Sequence, residues 1–138
     1  MHYYALILCG LFFIGCQNTT TDDNTTAIEA SPRQQQPESS TYQAGKTLFL
    51  SNCASCHNNN MVADMTGPAL YGVEDRWKEK KDLIQFIQNP QDLINNNHPR
   101  AVEISALWPS EMTAFPHLDS PAIVAILTYI QEKGAQAN

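Results

Sequence analysis

At 138 residues the chain is long enough for one ordinary domain and a flexible extension, not for two domains. Eight basic against fourteen acidic side chains give a formal charge of −6, and residues 41–138 alone hold seven against ten, a net of −3. Such a balance offers no basic face, which argues against nucleic acid as a partner.

The first sixteen residues, MHYYALILCGLFFIGC, are apolar over 5–15 and carry no formal charge. That run is too short for a bilayer, which takes about 20 residues, but it suits the apolar part of a secretory signal. Its ending, FIGC, resembles a bacterial lipoprotein signal, in which cleavage precedes the cysteine and lipid attaches to its thiol. The match departs in having no Lys or Arg near the start and Phe13 where leucine is usual. An ordinary signal cut nearby and a short uncleaved anchor are the alternatives. The polar stretch directly after Cys16 favours lipidation there.

Residues 17–40, QNTTTDDNTTAIEASPRQQQPESS, have almost no large apolar side chains. They cannot bury enough surface to offset their ordering entropy, so a disordered tether is expected, with the folded domain spanning 41–138. The domain is therefore expected to be exported and held at a membrane through Cys16, on the periplasmic side.

A first helix is expected after Ser40 and Thr41 as N-caps, with Ala44, Leu48, Phe49, Asn52 and Cys53 at three- and four-residue spacing. Gly45 is a poor helix former and hints at close packing against another element. The helix runs straight into CASCHNNN, residues 53–60. Two thiols and an imidazole at that spacing allow a redox pair or disulfide, half of a zinc site, or attachment of a covalent haem.

Cys9 and Cys16 lie in the signal, which leaves Cys53 and Cys56 for the domain. A structural zinc needs four ligands, and no second pair exists; His98 and His117 lack the ligand spacing. A thioredoxin-like pair would sit near a βαβ pattern, which is missing, and a disulfide leaves His57 without a role. Cys-x-x-Cys-His is the signature of c-type haem attachment, with each thiol bonded to one vinyl group and His57 as proximal ligand. One covalent haem c is the expected cofactor.

The next helix is read over 77–88, with Leu83, Ile84 and Ile87 as its buried stripe. Lys78, Lys80 and Lys81 then form a solvated helix start, or alternatively a docking patch. Asn89 caps a short helix that begins at Pro90 and carries Leu93 and Ile94, and 95–97 read as a turn. A short strand over 102–104 is the alternative to irregular chain there. In the last helix Ser120 is the cap, Pro121 the first residue, Ile123, Ile126, Leu127 and Ile130 the stripe and Gly134 the stop. The class is all-α, and about 95 folded residues is small for a self-sufficient core, so an apolar macrocycle would complete the interior.

The iron's sixth ligand separates a carrier from a catalyst. Met61 and Met65 follow His57 too closely to pass readily around a macrocycle, since each residue spans at most about 3.5 Å. Met112 lies between Pro109 and Pro116, in irregular chain able to wrap a face. It is the leading candidate, with core filling as the alternative role. His117, in the same loop, is the rival, and His98 is a further one beside proline.

From about Tyr42 to Lys133 the chain resembles the class I cytochrome c family. The motifs AGKTLFLSNCASCH, TGPALYGVEDR, EMTAFPHL and IVAILTYI occur in family order at family-like spacing. The resemblance implies a cytochrome c fold, with N- and C-terminal helices crossing around one covalently bound haem and Gly45 and Phe49 packed against Ile126 and Tyr129. It implies that the Pro68 carbonyl accepts the Nδ1 proton of the proximal histidine and that Arg76 lies near a haem propionate or at the surface. Trp77 and Trp108 line the haem edge or pack in the core. Two positions depart from the pattern: Asp75 stands before the arginine where glycine is common, and Thr113 after the methionine where proline is common.

The expected function is a monomeric electron-transfer protein, not an enzyme, passing single electrons between respiratory donor and acceptor proteins through a His57/Met112-ligated iron. The alternative is a haem peroxidase or gas sensor with a labile sixth ligand. A module docked in one fixed complex would differ from a mobile carrier only in its partner.

Overall fold

The computed structural model describes residues 39–138. The expected signal segment 1–16, the expected lipidation site Cys16 and the expected tether up to residue 38 lie outside the described residues. Among the described residues there are five α-helices and no strand: α1 (Ser40–Asn52), α2 (Lys80–Gln88), α3 (Pro90–Asn95), α4 (Pro99–Leu107) and α5 (Ser120–Ala137), with a 3-10 turn at Glu74–Arg76. None of these helices is long and apolar enough to cross a membrane.

The first and last helices carry the core. In α1 the buried residues are Tyr42, Gly45 and Phe49; the expected stripe through Ala44 is displaced, and Ala44 is exposed. In α5 the stripe of Ile123, Ile126, Leu127 and Ile130 is buried together with Ala125 and Tyr129. Gly45 sets how closely the two helices cross. A Cβ there would overlap the Ala125 carbonyl oxygen and lie 2.5 Å from the carbonyl carbon and 3.0 Å from Tyr129 Cβ. The crossing is closed by Tyr129, whose ring sits 5.1 Å from that of Tyr42 and 5.4 Å from that of Phe49. Such aromatic pairs add to burial by about 0.5–1.5 kcal/mol each.

Several element boundaries differ from the sequence expectation for identifiable reasons. The N-cap of α1 is Ser39, whose Oγ accepts from the Tyr42 N–H at 3.1 Å, so Ser39 and Ser40 belong to the helix start rather than the tether. The cap of α5 is Asp119, accepting from the Ala122 N–H at 2.9 Å, and Ser120 is already helical. Helix α2 begins at Lys80, because Trp77 is extended at φ −114°, ψ 136°. Gly134 does not stop α5, which continues to Ala137; a Cβ at Gly134 would lie 2.7 Å from Tyr71 Cγ, so the glycine makes room for that ring. The 102–104 stretch is helical within α4, with Pro99 in its first turn. There the proline-initiated helix overrides the weak strand preference of Val102 and Ile104.

Asn89 caps α3, with its Oδ1 3.4 Å from the Asp92 N–H and Pro90 in the first turn. Asn97 ends the following turn at φ 56°, a left-handed conformation that asparagine tolerates. Lys80 of the basic run pairs with Glu74 at 2.7 Å on the surface.

Candidate functional site

Helix α1 delivers the CASCH motif as it ends. The Cys53 N–H still bonds to the Phe49 carbonyl at 2.8 Å, and the Cys56 and His57 N–H groups both turn back onto the Cys53 carbonyl at 3.1 and 3.0 Å. The asparagines that follow hold the loop. Asn58 Oδ1 accepts from the Asn60 N–H at 3.1 Å, and Asn60 Oδ1 accepts from the N–H groups of Val62 and Ala63 at 3.0 and 2.9 Å. These side-chain turns replace backbone pairing in a segment without regular structure.

The loop then folds back under the imidazole. The Gly67 N–H bonds to the Cys56 carbonyl at 2.8 Å, and His57 Nδ1 lies 2.9 Å from the Pro68 carbonyl oxygen. A carbonyl can only accept, so Nδ1 carries the proton and Nε2 keeps its lone pair. Burial lowers the His57 pKa below its ordinary value, with the Pro68 bond opposing, so the ring is neutral at pH 7. A Cβ on Gly67 would stand 2.7 Å from His57 Cε1, which makes glycine a requirement of this seat.

His57, Cys53 and Cys56 line a cavity of about 510 Å³. Cys53 is half-buried and Cys56 exposed, both as free thiols. Burial, with a smaller contribution from Cys56, pushes the Cys53 thiol up to about 11. Much of the wall is apolar: Leu83, Phe86 and Ile87 from α2, and Ile126, Leu127 and Ile130 from α5.

Met112 reaches the same wall from irregular chain between α4 and α5. Two bonds to α2 hold that segment: the Phe115 N–H to the Ile87 carbonyl at 3.2 Å, and Gln88 Nε2 to the Leu118 carbonyl at 2.8 Å. Among the described residues Met112 is the only thioether on the wall and His57 the only imidazole. Met61 is instead wholly buried in the loop core at φ 66°, its carbonyl accepting from Leu70 and Tyr71, and Met65 is exposed. His117 lies off the wall, 3.3 Å from Asn52 Oδ1, and His98 stacks on Trp77 at 5.5 Å.

Arg76 lines the cavity, but its Nη atoms donate to the carbonyls of Tyr71 and Ala69 at 2.8 Å each. Desolvation, and next the charge of Arg100, lower its pKa; Asp75 and Asp64 oppose. Trp77 and Trp108 are both on the wall, and buried Trp77 also packs on Phe86 at 5.1 Å. Gly67 and Arg100 were not singled out from sequence. The tight glycine contact depends on a chain reversal that spacing does not reveal, and Arg100 reaches the cavity only because 99–107 is helical.

The donor set fits a covalently attached haem. Two thiols, a neutral histidine with its outer nitrogen bonded to a carbonyl, and one thioether share an apolar cavity within the usual range of about 300–1,000 Å³ for cofactor sites. No cluster of three or more His, Cys, Asp or Glu suited to a bare metal ion occurs among the described residues.

Comparison with known proteins agrees with the geometry. The sequence profile of the family described as cytochrome c matches residues 42–133. The fold is similar to the solved structure of a cytochrome c from Rhodothermus marinus, with a TM-score of 0.59 and 24% identity over 77% of this chain and 91% of that one. Comparison with curated proteins gives no match. With its α1–α5 crossing, its CASCH seat and a profile match across nearly all of the described domain, the chain belongs to the cytochrome c family.

Proposed function

We propose that the chain carries single electrons through one haem c, ligated by His57 and Met112, between redox partner proteins at a membrane surface to which Cys16 and the tether after it, up to residue 38, confine it. The observation that supports this above others is the shared wall: two segments distant in sequence bring Cys53, Cys56, His57 and Met112 to one cavity. Attachment needs no leaving group, since each thiol adds its sulfur and hydrogen across one vinyl double bond. The bound haem supplies an iron that takes up and releases one electron between its ferric and ferrous states.

The chain's own residues set the terms of that exchange. Pro68 fixes the His57 ring and strengthens Nε2 as a donor through the Nδ1 bond. The Met112 thioether and the apolar wall both favour the ferrous state and so a raised potential. Ser55 and Cys56 are exposed while His57 is buried, so the motif's outer edge meets solvent and is where a partner would approach. The tether raises the concentration each partner experiences by restricting the domain to a surface.

The test is the visible and near-infrared spectrum of the full chain, expressed with haem-attachment machinery and recorded oxidised, reduced and with carbon monoxide. A low-spin c-type spectrum with the weak sulfur-to-iron charge-transfer band, lost in Met112→Ala, is the expected outcome. High-spin or carbon-monoxide-reactive iron in the unmodified chain would place it with peroxidases or gas sensors. Absence of covalent haem would overturn the reading of CASCH.

A further inference from the structure

We infer that Arg100, carried by α4, anchors a carboxylate of the bound haem and that this contact holds α4 over the cavity as its cover. The inference rests on the proposed haem site. It starts from how α4 is held. The helix packs chiefly against α3, while Arg100, Ile104, Ser105 and Leu107 line the cavity. Only Ala101 of this helix is fully buried. Much of the inner face of α4 is therefore turned to the space the haem would occupy, and its position depends on what fills that space.

Arg100 has a donor set in want of an acceptor. Its side chain is 24% exposed, and one Nη donates to Glu103 Oε2 at 2.8 Å on the outer side of the helix. Its Nε is buried and has no hydrogen-bond partner. A buried donor left unpaired is unfavourable, and more so when it carries charge. With one Nη on Glu103, the edge formed by Nε and the other Nη remains, a fork that matches the two oxygens of a carboxylate.

Arg76 is the arginine that sequence comparison would nominate, yet its circumstances are different. It is exposed, and both of its Nη atoms are engaged by the carbonyls of Ala69 and Tyr71, so its first task is to hold the 69–76 loop. The two guanidiniums share the cavity wall and a smaller side depression with Lys78, Asp82, His98 and Glu103. Glu103, Asp75 and Asp64 offset part of the repulsion between these like charges on the outer side, and a further anion on the cavity side would offset more. The two propionates of haem are anions of the required kind, and Arg100 is the more buried of the two cations and the one with its fork open.

The experiment uses the haem-loaded full chain, unmodified and as Arg100→Gln, Arg100→Lys and Glu103→Gln. Two readouts are taken: the vibrational band of the propionate carboxylates, and amide exchange over 99–107 with the α5 amides as internal reference. Losing a charge-assisted hydrogen bond should speed exchange in α4 about tenfold or more while α5 is unchanged. The carboxylate band should shift in Arg100→Gln and stay in place in Glu103→Gln, which a merely structural role for Arg100 would not produce. An unshifted band, or α4 exchange equal to the unmodified chain, overturns the inference. If Arg100→Gln does not take up haem, Arg100→Lys decides. A point-charge ammonium cannot make the paired fork, so its band must also move, and an unmoved band is fatal. Failure of the unmodified chain to attach haem would instead overturn the haem site itself.

Discussion

Replacing Gly45 by alanine sets two effects of opposite sign against each other. Within an exposed helix the change would stabilise by about 1 kcal/mol, because glycine is the poorer helix former. Here the new Cβ would meet the Ala125 carbonyl, with its carbon 2.5 Å away and Tyr129 Cβ at 3.0 Å. The obstacle is main chain inside a helix, so no rotamer change relieves it and α1 and α5 must move apart. That separation also loosens the Tyr42 and Phe49 contacts to Tyr129, at ring distances of 5.1 and 5.4 Å. Overpacking costs about 1–3 kcal/mol, and two weakened aromatic pairs add about 0.5–1.5 kcal/mol each at most. The net expectation is a loss of about 2 kcal/mol, which for a domain of this size lowers the midpoint by on the order of 10 °C. Thermal unfolding of the haem-loaded ferric protein, followed by far-ultraviolet circular dichroism, measures it. An unchanged or raised midpoint would mean that helix propensity wins and that the helices do not cross this closely. Gly134→Ala serves as comparison: its obstacle is the Tyr71 ring, whose Cδ2 the new Cβ would overlap and whose Cγ would lie 2.7 Å away, but Tyr71 is a loop residue that can shift, so the loss should be smaller.

Asp119→Ala should cost about 1 kcal/mol in guanidinium unfolding, because Asp119 satisfies the Ala122 N–H, whereas Ser120→Ala should stay within about 0.5 kcal/mol. Equal losses would contradict the assignment of Asp119 as the cap. Arg76→Gln removes two 2.8 Å bonds from a solvent-exposed guanidinium and should cost about 1–2 kcal/mol, seen as faster amide exchange over 69–76 with the haem spectrum retained. Cys16→Ser should move the protein from the membrane to the soluble fraction with an unaltered spectrum; an unmodified chain already in the soluble fraction would refute the lipid anchor.

What was legible in the sequence is what the chain satisfies with its own side chains. The stripe of α5 and its glycine-mediated contact with α1 need only each other, and both were visible in the spacing of Ile123, Ile126, Leu127 and Ile130 and in the misplaced helix former Gly45. The start of α3 was visible because Asn89 and Pro90 are a cap and a first-turn proline. The stretch 102–104 reads from sequence as irregular chain or a short strand, and the helix found there starts at a first-turn proline, Pro99. Gly134 has the residue type of a helix stop and the environment of a packing contact, a distinction only Tyr71 makes. The choice among Met61, Met65 and Met112 followed from chain length, while the burial of Met61 at φ 66° could not be read from sequence.

Trp77, Gly67, Arg100 and part of α4, which the sequence misread or left unmarked, belong to the cavity wall, whereas Ser39, Ala44, Asp119 and Gly134 depart from expectation away from it. At the wall, residues answer in the proposed reading to a group that the chain does not encode. Leu83, Phe86, Ile87 and Ile104 present apolar side chains to the cavity, and in the proposed reading the thiols of Cys53 and Cys56 hold a haem against them covalently. Helices α1 and α5, whose contact is direct, form the part of the fold that least depends on the partner; α4, with its open arginine fork, forms the part that depends on it most.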